Sequence, residues 1–422
     1  MSTETQSGEY VSLAPGVTAP AEDFDRILST ASDRPQTDTL PALTDPAADH
    51  SDPIQQRRRE DIEEKHRRVI AFLDANGLDS VILGRADSVA WFTSGGDFSV
   101  DLGTEMSTIL LFLNRTCRAV ITDNVQSARV FEEELAGLGF QLKERAWHDD
   151  PARVVNELTH NKRVACDLGP RTSPWAREVD SLRALRQTLT AVERQRLREL
   201  GRALTRAVEA TCRNFIQGET EADVAGHLAH RLIREGVIPA DLRIAGDDRL
   251  ERYRQPGFKS SPIRKKVTLT VSGRRFGLSA TLSRTVSFGP LDHESLARHS
   301  LATMVDATCI YFSRPGESVS EVLRRAKRIY AKFDHPDEWM LDYSGFIVGY
   351  SPREALLCPE SPLILSPEMA MCWSPSVGSS RSSDTIVIDH RGYECVTNAR
   401  NWPKLDVAVK GFLIPRPGIL ER

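Results

Sequence analysis

Hydrophobic and polar positions change their rhythm twice along this chain. Residues 1–53 show no sustained period and are rich in Pro, Ser, Thr and Ala, the pattern of a disordered tail. From Gln55 to Ala75, Ile62, Val69, Ile70 and Leu73 recur on one face, which predicts a helix stopped by Asn76-Gly77. Its Glu60, Glu63 and Glu64 precede His66, Arg67 and Arg68, a solvated face with helical ion pairs. Short apolar runs follow at Ser80–Leu83, Val89–Thr93, Thr108–Leu113 and Cys117–Thr122, then a helix around Asn124–Leu138 and a run at Arg163–Asp167. The alternation predicts a small α/β domain over 54–185. A long helical period then runs from Ala191 to Phe215, and a second helix opens at Thr220, with Asp223 three residues on, and closes at Gly236. Beyond Ile244 the period shortens to strands at Val267–Val271, Phe276–Val286, Ala370–Trp373 and Asp384–Asp389. A helix near His293–Cys309 and one opened by the Ser318/Glu321 capping box lie among them. Helices first and antiparallel-looking strands later predict an α+β domain over 186–412, leaving 413–422 as a C-terminal tail.

Composition changes this picture in one respect. At 422 residues, 40% hydrophobic and 27% charged, the chain is that of an ordinary globular protein of two or three domains. Its net charge of −4 argues against a general nucleic-acid binder. The average hides a split: residues 1–53 carry ten acids against two arginines, a net of −8, so the remainder carries +4. No apolar run reaches membrane-spanning length, and the start lacks the pattern of a signal peptide. Seven scattered cysteines with no C-x-x-C speak against a disulfide framework or structural zinc, and point to a cytoplasmic protein.

Four stretches together resemble the creatinase / aminopeptidase P / prolidase superfamily. They are Glu193–Gly218 followed by Glu219-Thr220-Glu221; Gly273 to Val286, where a glycine precedes Arg284-Thr285; Ser344-Gly345 to Arg353-Glu354; and Trp373-Ser374-Pro375 with Arg381-Ser-Ser383-Asp384-Thr385. Arg67 to Gly95 is similar to the superfamily's non-catalytic N-terminal domain. The resemblance implies the pita-bread fold behind a smaller α/β domain, C–N bond hydrolysis of the Xaa-Pro peptidase or creatinase kind, and a homodimer.

Hydrolytic members hold two divalent metals with two aspartates, one histidine and two glutamates, which activate water and polarise the scissile carbonyl. Carried over by motif, those five positions fall on Thr270, Thr281, Phe346, Ser374 and Ser383, and the second family histidine falls on Arg353. None of the five supplies a carboxylate or imidazole, none of the ten histidines lies in these motifs, and no metal or other cofactor is expected. Asp342, Glu368 and Asp389 are the nearest carboxylates, and none has ligand spacing. The metal-free creatinase mechanism needs an upstream histidine, but Arg249 to Pro256 holds none.

The remaining candidates are weighed against plainer roles. Arg252, Arg254, Arg275, Arg284 and Arg353 form a basic set suited to an anionic ligand, with Tyr350 beside them, although Arg284 could instead pair with Asp384 or Glu354. Glu354 is a candidate acid or base and Tyr253 an orienting or catalytic group; a partnered structural carboxylate is the alternative for Glu354. Ser374 and Ser383 lack an activating base in their motifs. His227 and His230 fit an ordinary helix surface, Cys372 a buried strand thiol, residues 264–266 a solvated edge, and Gly95-Gly96 lacks the context of a phosphate loop. Two readings follow. The first is a metal-independent protein that binds, and could hydrolyse, a small anionic amide, guanidino or amino-acid-like ligand. The second is an inactive pseudo-peptidase used as a protein-binding scaffold. A metal-dependent Xaa-Pro peptidase is the least favoured.

Overall fold

A computed structural model describes residues 53–98, 103–168 and 179–422. The expectation of an acidic disordered tail over 1–53 lies, but for Pro53, outside these residues. Helix α1 (Pro53–Asn76) buries Ile62, Val69, Phe72 and Leu73, and Gly77 ends it at φ +61°. The elements β1 (Ser80–Arg85), α2 (Ala86–Phe92), β2 (Met106–Leu113), β3 (Arg118–Asp123), α3 (Ser127–Arg129), β4 (Gln141–Arg145), α4 (Pro151–Thr159) and β5 (Val164–Cys166) complete the first layer system. Its five-stranded sheet has the order β4-β3-β2-β1-β5, with β1–β2 and β2–β3 antiparallel and β3–β4 and β1–β5 parallel. The run Val89–Thr93 belongs to a helix, not a strand. Ser88 to Phe92 are all buried, so the helix shows no polar face from which a period could be read. The helix expected over Asn124–Leu138 is only α3 and one π turn, Val130–Glu134.

After α5 (Val179–Ala184), the capping box of Thr190 and Glu193 opens α6 (Ala191–Asn214), and that of Thr220 and Asp223 opens α7 (Glu221–Arg234). The strands β6 (Ile238–Gly246), β7 (Lys266–Arg275) and β8 (Leu278–Ser287), with α8 (Asp247–Arg252) between the first two, form one antiparallel half. Helices α9 (His293–Phe312) and α10 (Val319–Lys332) cover the second half, which is built from β9 (Gly345–Ile347), β10 (Ala355–Leu356), β11 (Ala370–Trp373), β12 (Ser376–Val377), β13 (Ser380–Arg381), β14 (Asp384–Asp389) and β15 (Gly392–Cys395). Its five-stranded sheet runs β10-β9-β11-β14-β15. The halves are stitched where β8 meets β14: Thr385 Oγ1 donates to the Thr281 carbonyl and accepts from the Thr281 amide, each at 2.8 Å, and the Ser283 amide donates to the Ser383 carbonyl at 3.0 Å.

The segment 413–422 is not a tail. After β16 (Lys404–Val409), β17 (Phe412–Pro417) forms a hairpin with it, and β18 (Ile419–Glu421) adds in parallel to the edge of β8. Pro415 and Pro417 lack the amide hydrogen a strand ladder uses. In β17 they are tolerated because that strand has a neighbour on one side alone. No described helix is long and apolar enough to cross a membrane.

Candidate functional site

The five residues onto which the motifs carry the family's ligand positions are buried on or beside adjoining strands. Thr270 lies on β7 and Thr281 on β8, where Thr281 Oγ1 shares a hydrogen bond with Ser272 Oγ at 2.8 Å. Phe346 sits on β9 opposite Cys372 of β11, and Ser374 directly follows β11. Gly345 makes that close approach possible, since a Cβ there would lie 2.6 Å from the Cys372 carbonyl oxygen. Ser383 immediately precedes β14 and donates its hydroxyl to Ser374 Oγ at 2.9 Å. Arg381 Nη1 donates to the same Ser374 Oγ at 2.7 Å, while its Nη2 pairs with Asp342 and donates to the Arg254 carbonyl at 3.0 Å.

A pair of divalent metals does not fit this set. Two threonines, two serines and a phenyl ring offer neutral, weak donors where hard cations need carboxylates and imidazole. A guanidinium donating into the same spot is repulsive to a cation. Among the described residues no group of three His, Cys, Asp or Glu could hold a metal. The cavity left beside Thr268, Thr270 and Arg381 is about 20 Å³. That is room for one water and not for a dipeptide.

The predicted basic set does not converge. Arg284 is fully buried between strands, pairing with Asp384 at 3.1 Å and donating to the Ser283 and Thr397 carbonyls, so it has no surface left for a ligand. Arg254 pairs with Glu338 at 2.6 Å on the cleft wall. Arg252 is exposed at the end of α8 and does not line the cleft cavity. Arg275 stands at the far tip of the β7–β8 hairpin. Arg353 is half exposed, 3.5 Å from Asp241, with its guanidinium over Phe346 and Tyr343.

Glu354 is buried and receives Arg186 Nε at 3.0 Å and Nη2 at 2.8 Å, with the Ser351 amide on its other oxygen. Burial pushes its carboxyl up, against the pull of Arg186. Tyr253 is exposed at the cleft mouth, under Arg249. Tyr350 is buried and donates to Glu193 Oε1 at 2.8 Å, and burial pushes its hydroxyl well above the usual tyrosine range. Burial likewise raises the Cys372 thiol far from reactivity. His227 stands 3.5 Å from Glu219 on the half-exposed surface of α7.

Sequence reasoning missed the buried ions. Lys65, read as part of a solvated charge run, is fully buried between Asp61 at 2.6 Å and Glu193 at 2.7 Å, with Tyr350 Oη at 3.3 Å. The signal was present: Asp61 and Lys65 fall on the stripe of Ile62 and Val69. Arg186 joins Asp87 of the first domain to Glu354 of the second, at 2.7 and 2.8 Å. Behind the cleft, Arg416 of β17 bridges Asp306 at 2.7 Å and Asp384 at 2.8 Å.

Against known proteins, the sequence matches no family model. It is 24% identical over 368 residues to the probable dipeptidase PepE of Mycobacterium bovis, a match covering 81% of this chain and 96% of that protein. The dipeptidase PepE structure from Mycobacterium ulcerans superposes with a TM-score of 0.69 at 19% identity, over 81% of this chain and 97% of that one. The chain has the pita-bread fold of these dipeptidases. The Xaa-Pro dipeptidase from Bacillus anthracis agrees, with a TM-score of 0.68, 17% identity and coverage of 80% and 98%. The N-terminal domain of FACT complex subunit SPT16 from chickpea has the same pita-bread architecture, with a TM-score of 0.63 at 13% identity over 81% and 97% of the two chains. The fold expected from the four motifs is thus the fold observed.

Proposed function

We propose that this chain is a non-hydrolysing relative of the Xaa-Pro dipeptidases, a pseudo-peptidase that works by binding other proteins. One observation carries the reading. At the five positions where the fold's chemistry needs metal ligands stand Thr270, Thr281, Phe346, Ser374 and Ser383, and two of these satisfy each other by hydrogen bonding. The reading of the cleft as a small-anion pocket has less behind it. Arg243, Arg254 and Arg381 on its wall already face Asp241, Glu338 and Asp342, and the space between them is about 20 Å³.

Two further facts support a binding role. Tyr253 at the cleft, and Met340, Leu341 and Tyr343 on the segment after Glu338, are exposed, and the Arg254–Glu338 pair ties the two segments together. A protein of the same fold is a subunit of the FACT complex. The resemblance adds pairing of two copies, which sedimentation velocity measures directly.

The test is metal content and activity of the full-length protein. Elemental analysis is expected to find substoichiometric Mn, Zn, Co and Fe. Xaa-Pro dipeptides incubated with each added metal are expected to remain intact. A tightly held metal pair, or hydrolysis that appears with one of the metals, overturns the proposal.

A further inference from the structure

The largest cavity described lies away from the cleft. It measures about 500 Å³ and sits between α1, the loop after α2 and the tip of the β7–β8 hairpin. Four arginines line it: Arg58 from α1, Arg196 from α6, and Arg274 and Arg275 from the hairpin. None of the four forms an ion pair with a carboxylate among the described residues. Arg58 Nη2 donates to the Glu134 carbonyl at 2.9 Å and the Thr93 carbonyl at 3.3 Å, and its buried Nε has no partner. Arg196 Nη1 donates to the Ser94 carbonyl at 2.7 Å. Burial and the neighbouring Arg196 lower the proton affinity of Arg58, the mark of cations held close without full compensation.

The acids in the wall offset this only in part. Asp87 is taken by Arg186 at 2.7 Å and Arg85 at 3.4 Å, which leaves Asp97 and Glu134 facing the four guanidinia, and Glu134, with Asp61 of α1, attracts Arg58. Gly95 and Gly96 line the cavity, but their amides are bonded to the Ala90 carbonyl and to Thr93 Oγ1, so the positive field comes from the guanidinia and not from a backbone nest.

The hairpin tip adds an aromatic contact. Phe276 (φ +52°) and Gly277 (φ +73°) form the two-residue turn between Arg275 and Leu278, the left-handed pair that a tight hairpin requires. The Phe276 ring lies between the Arg196 and Arg275 guanidinia, at 4.8 and 4.9 Å from the ring centroid. The turn thus places one aromatic against two arginines at the cavity rim. Ile54, Ala90, Ile238 and Tyr350 supply apolar wall beneath them.

We propose that this cavity binds a small organic phosphate, its phosphate oxygens held by Arg58, Arg196, Arg274 and Arg275 and its organic body against the apolar wall. Guanidinium forks bind phosphate oxygens bidentately, and an excess of forks over wall carboxylates favours an anionic group. The volume exceeds what a phosphate alone would fill and suits a nucleotide-sized molecule. This site is separate from the cleft, so it stands or falls independently of the pseudo-peptidase reading.

The experiment is calorimetric titration of the full-length protein with pyrophosphate, ADP and citrate at fixed ionic strength. Pyrophosphate and ADP are expected to bind, ADP more tightly, and citrate at least about tenfold more weakly. Arg274→Ala with Arg275→Ala is expected to weaken ADP at least about tenfold with an unchanged unfolding midpoint. Phe276→Gly, which removes the ring and suits the left-handed turn, is expected to weaken ADP while raising the unfolding midpoint. No heat from either phosphate probe on folded protein, citrate binding as tight as ADP, or ADP binding indifferent to the double substitution would each overturn the proposal.

Discussion

Ser383 and Asp384 are neighbours in sequence and opposites in environment. The Ser383 hydroxyl turns into the cleft and meets another hydroxyl, Ser374. The Asp384 carboxylate turns away from it into a buried ladder with Arg416, Arg284 and the Thr397 hydroxyl. On one side of the strand start, Ser383, Ser374 and the neighbouring Thr281 are neutral hydroxyls. On the other, four buried ions (Asp306, Arg416, Asp384 and Arg284) remain paired. Buried ions must be kept or removed together, because a lone survivor is costly. The cleft side is joined by hydrogen bonds between hydroxyls and Arg381; the ladder holds a complete set of paired ions and ties the C-terminal hairpin to α9 and the sheet.

The comparison breaks most sharply at Arg416. Arg416→Met leaves Asp306 and Asp384 without the cation they share, an expected loss of about 3–5 kcal/mol in unfolding free energy by urea titration. A loss under ~1 kcal/mol would mean that the ladder is not what holds β17. Asp306→Asn probes the same ladder through its pH dependence. Burial outweighs the attraction of Arg416 and lifts the Asp306 carboxyl from 3.8 to about 6, and its Oδ1 has no hydrogen-bond partner. Between those pH values the folded chain holds a proton that the unfolded chain has released. The stability this group contributes is therefore complete below pH 3.8 and lost as pH rises through about 6. The difference is worth roughly 3 kcal/mol at most. Compared with the parent from pH 4 to 8, Asp306→Asn should lose this downward step, leaving the variant relatively more stable at pH 8. An unchanged step would place the proton elsewhere.

On the cleft side the effect should be smaller. Ser374→Ala removes the acceptor of both Ser383 and Arg381 Nη1, an expected cost of about 1–2 kcal/mol by the same titration. A stabilising effect would mean that the serine pair is a relic and not part of the core.

The two sides were not equally legible in sequence. On the cleft side the sequence offered motifs to read from: Gly345 ahead of Phe346, Pro375 after Ser374, and Arg381 two residues before Ser383. The ladder offered none, because Asp306, Asp384 and Arg416 are 32 to 110 residues apart and sit on segments whose charges have no period. Arg416 lay in a stretch read as tail, since its flanking prolines hid a strand. Lys65 was hidden differently, by the assumption that a charge run on a helix faces water. The basic set failed for a third reason: motif position placed Arg284 and Arg353 near the site but could not say which was already paired with an acid.

Arg353 gives the smallest expected effect and the finest test of that last point. It occupies the second histidine position, yet it is half exposed, and its carboxylate partner Asp241 stands at 3.5 Å on the surface. Solvent screens such a pair, and its measured worth rarely exceeds about 1 kcal/mol. The guanidinium also lies 4.9 Å from the Phe346 centroid and 5.7 Å from that of Tyr343, which adds packing but little more at an exposed site. Arg353→Ala should therefore change unfolding free energy by under ~0.5 kcal/mol. The same variant should leave partner binding intact if Tyr253, Met340 and Leu341 make the contact. A loss of several kcal/mol would instead make Arg353 a structural replacement for the histidine, holding Phe346 in place across the cleft. The rim would then belong with the ladder as part of the fold's internal scaffolding, and the contrast between the two sides of the strand would narrow to the two serines.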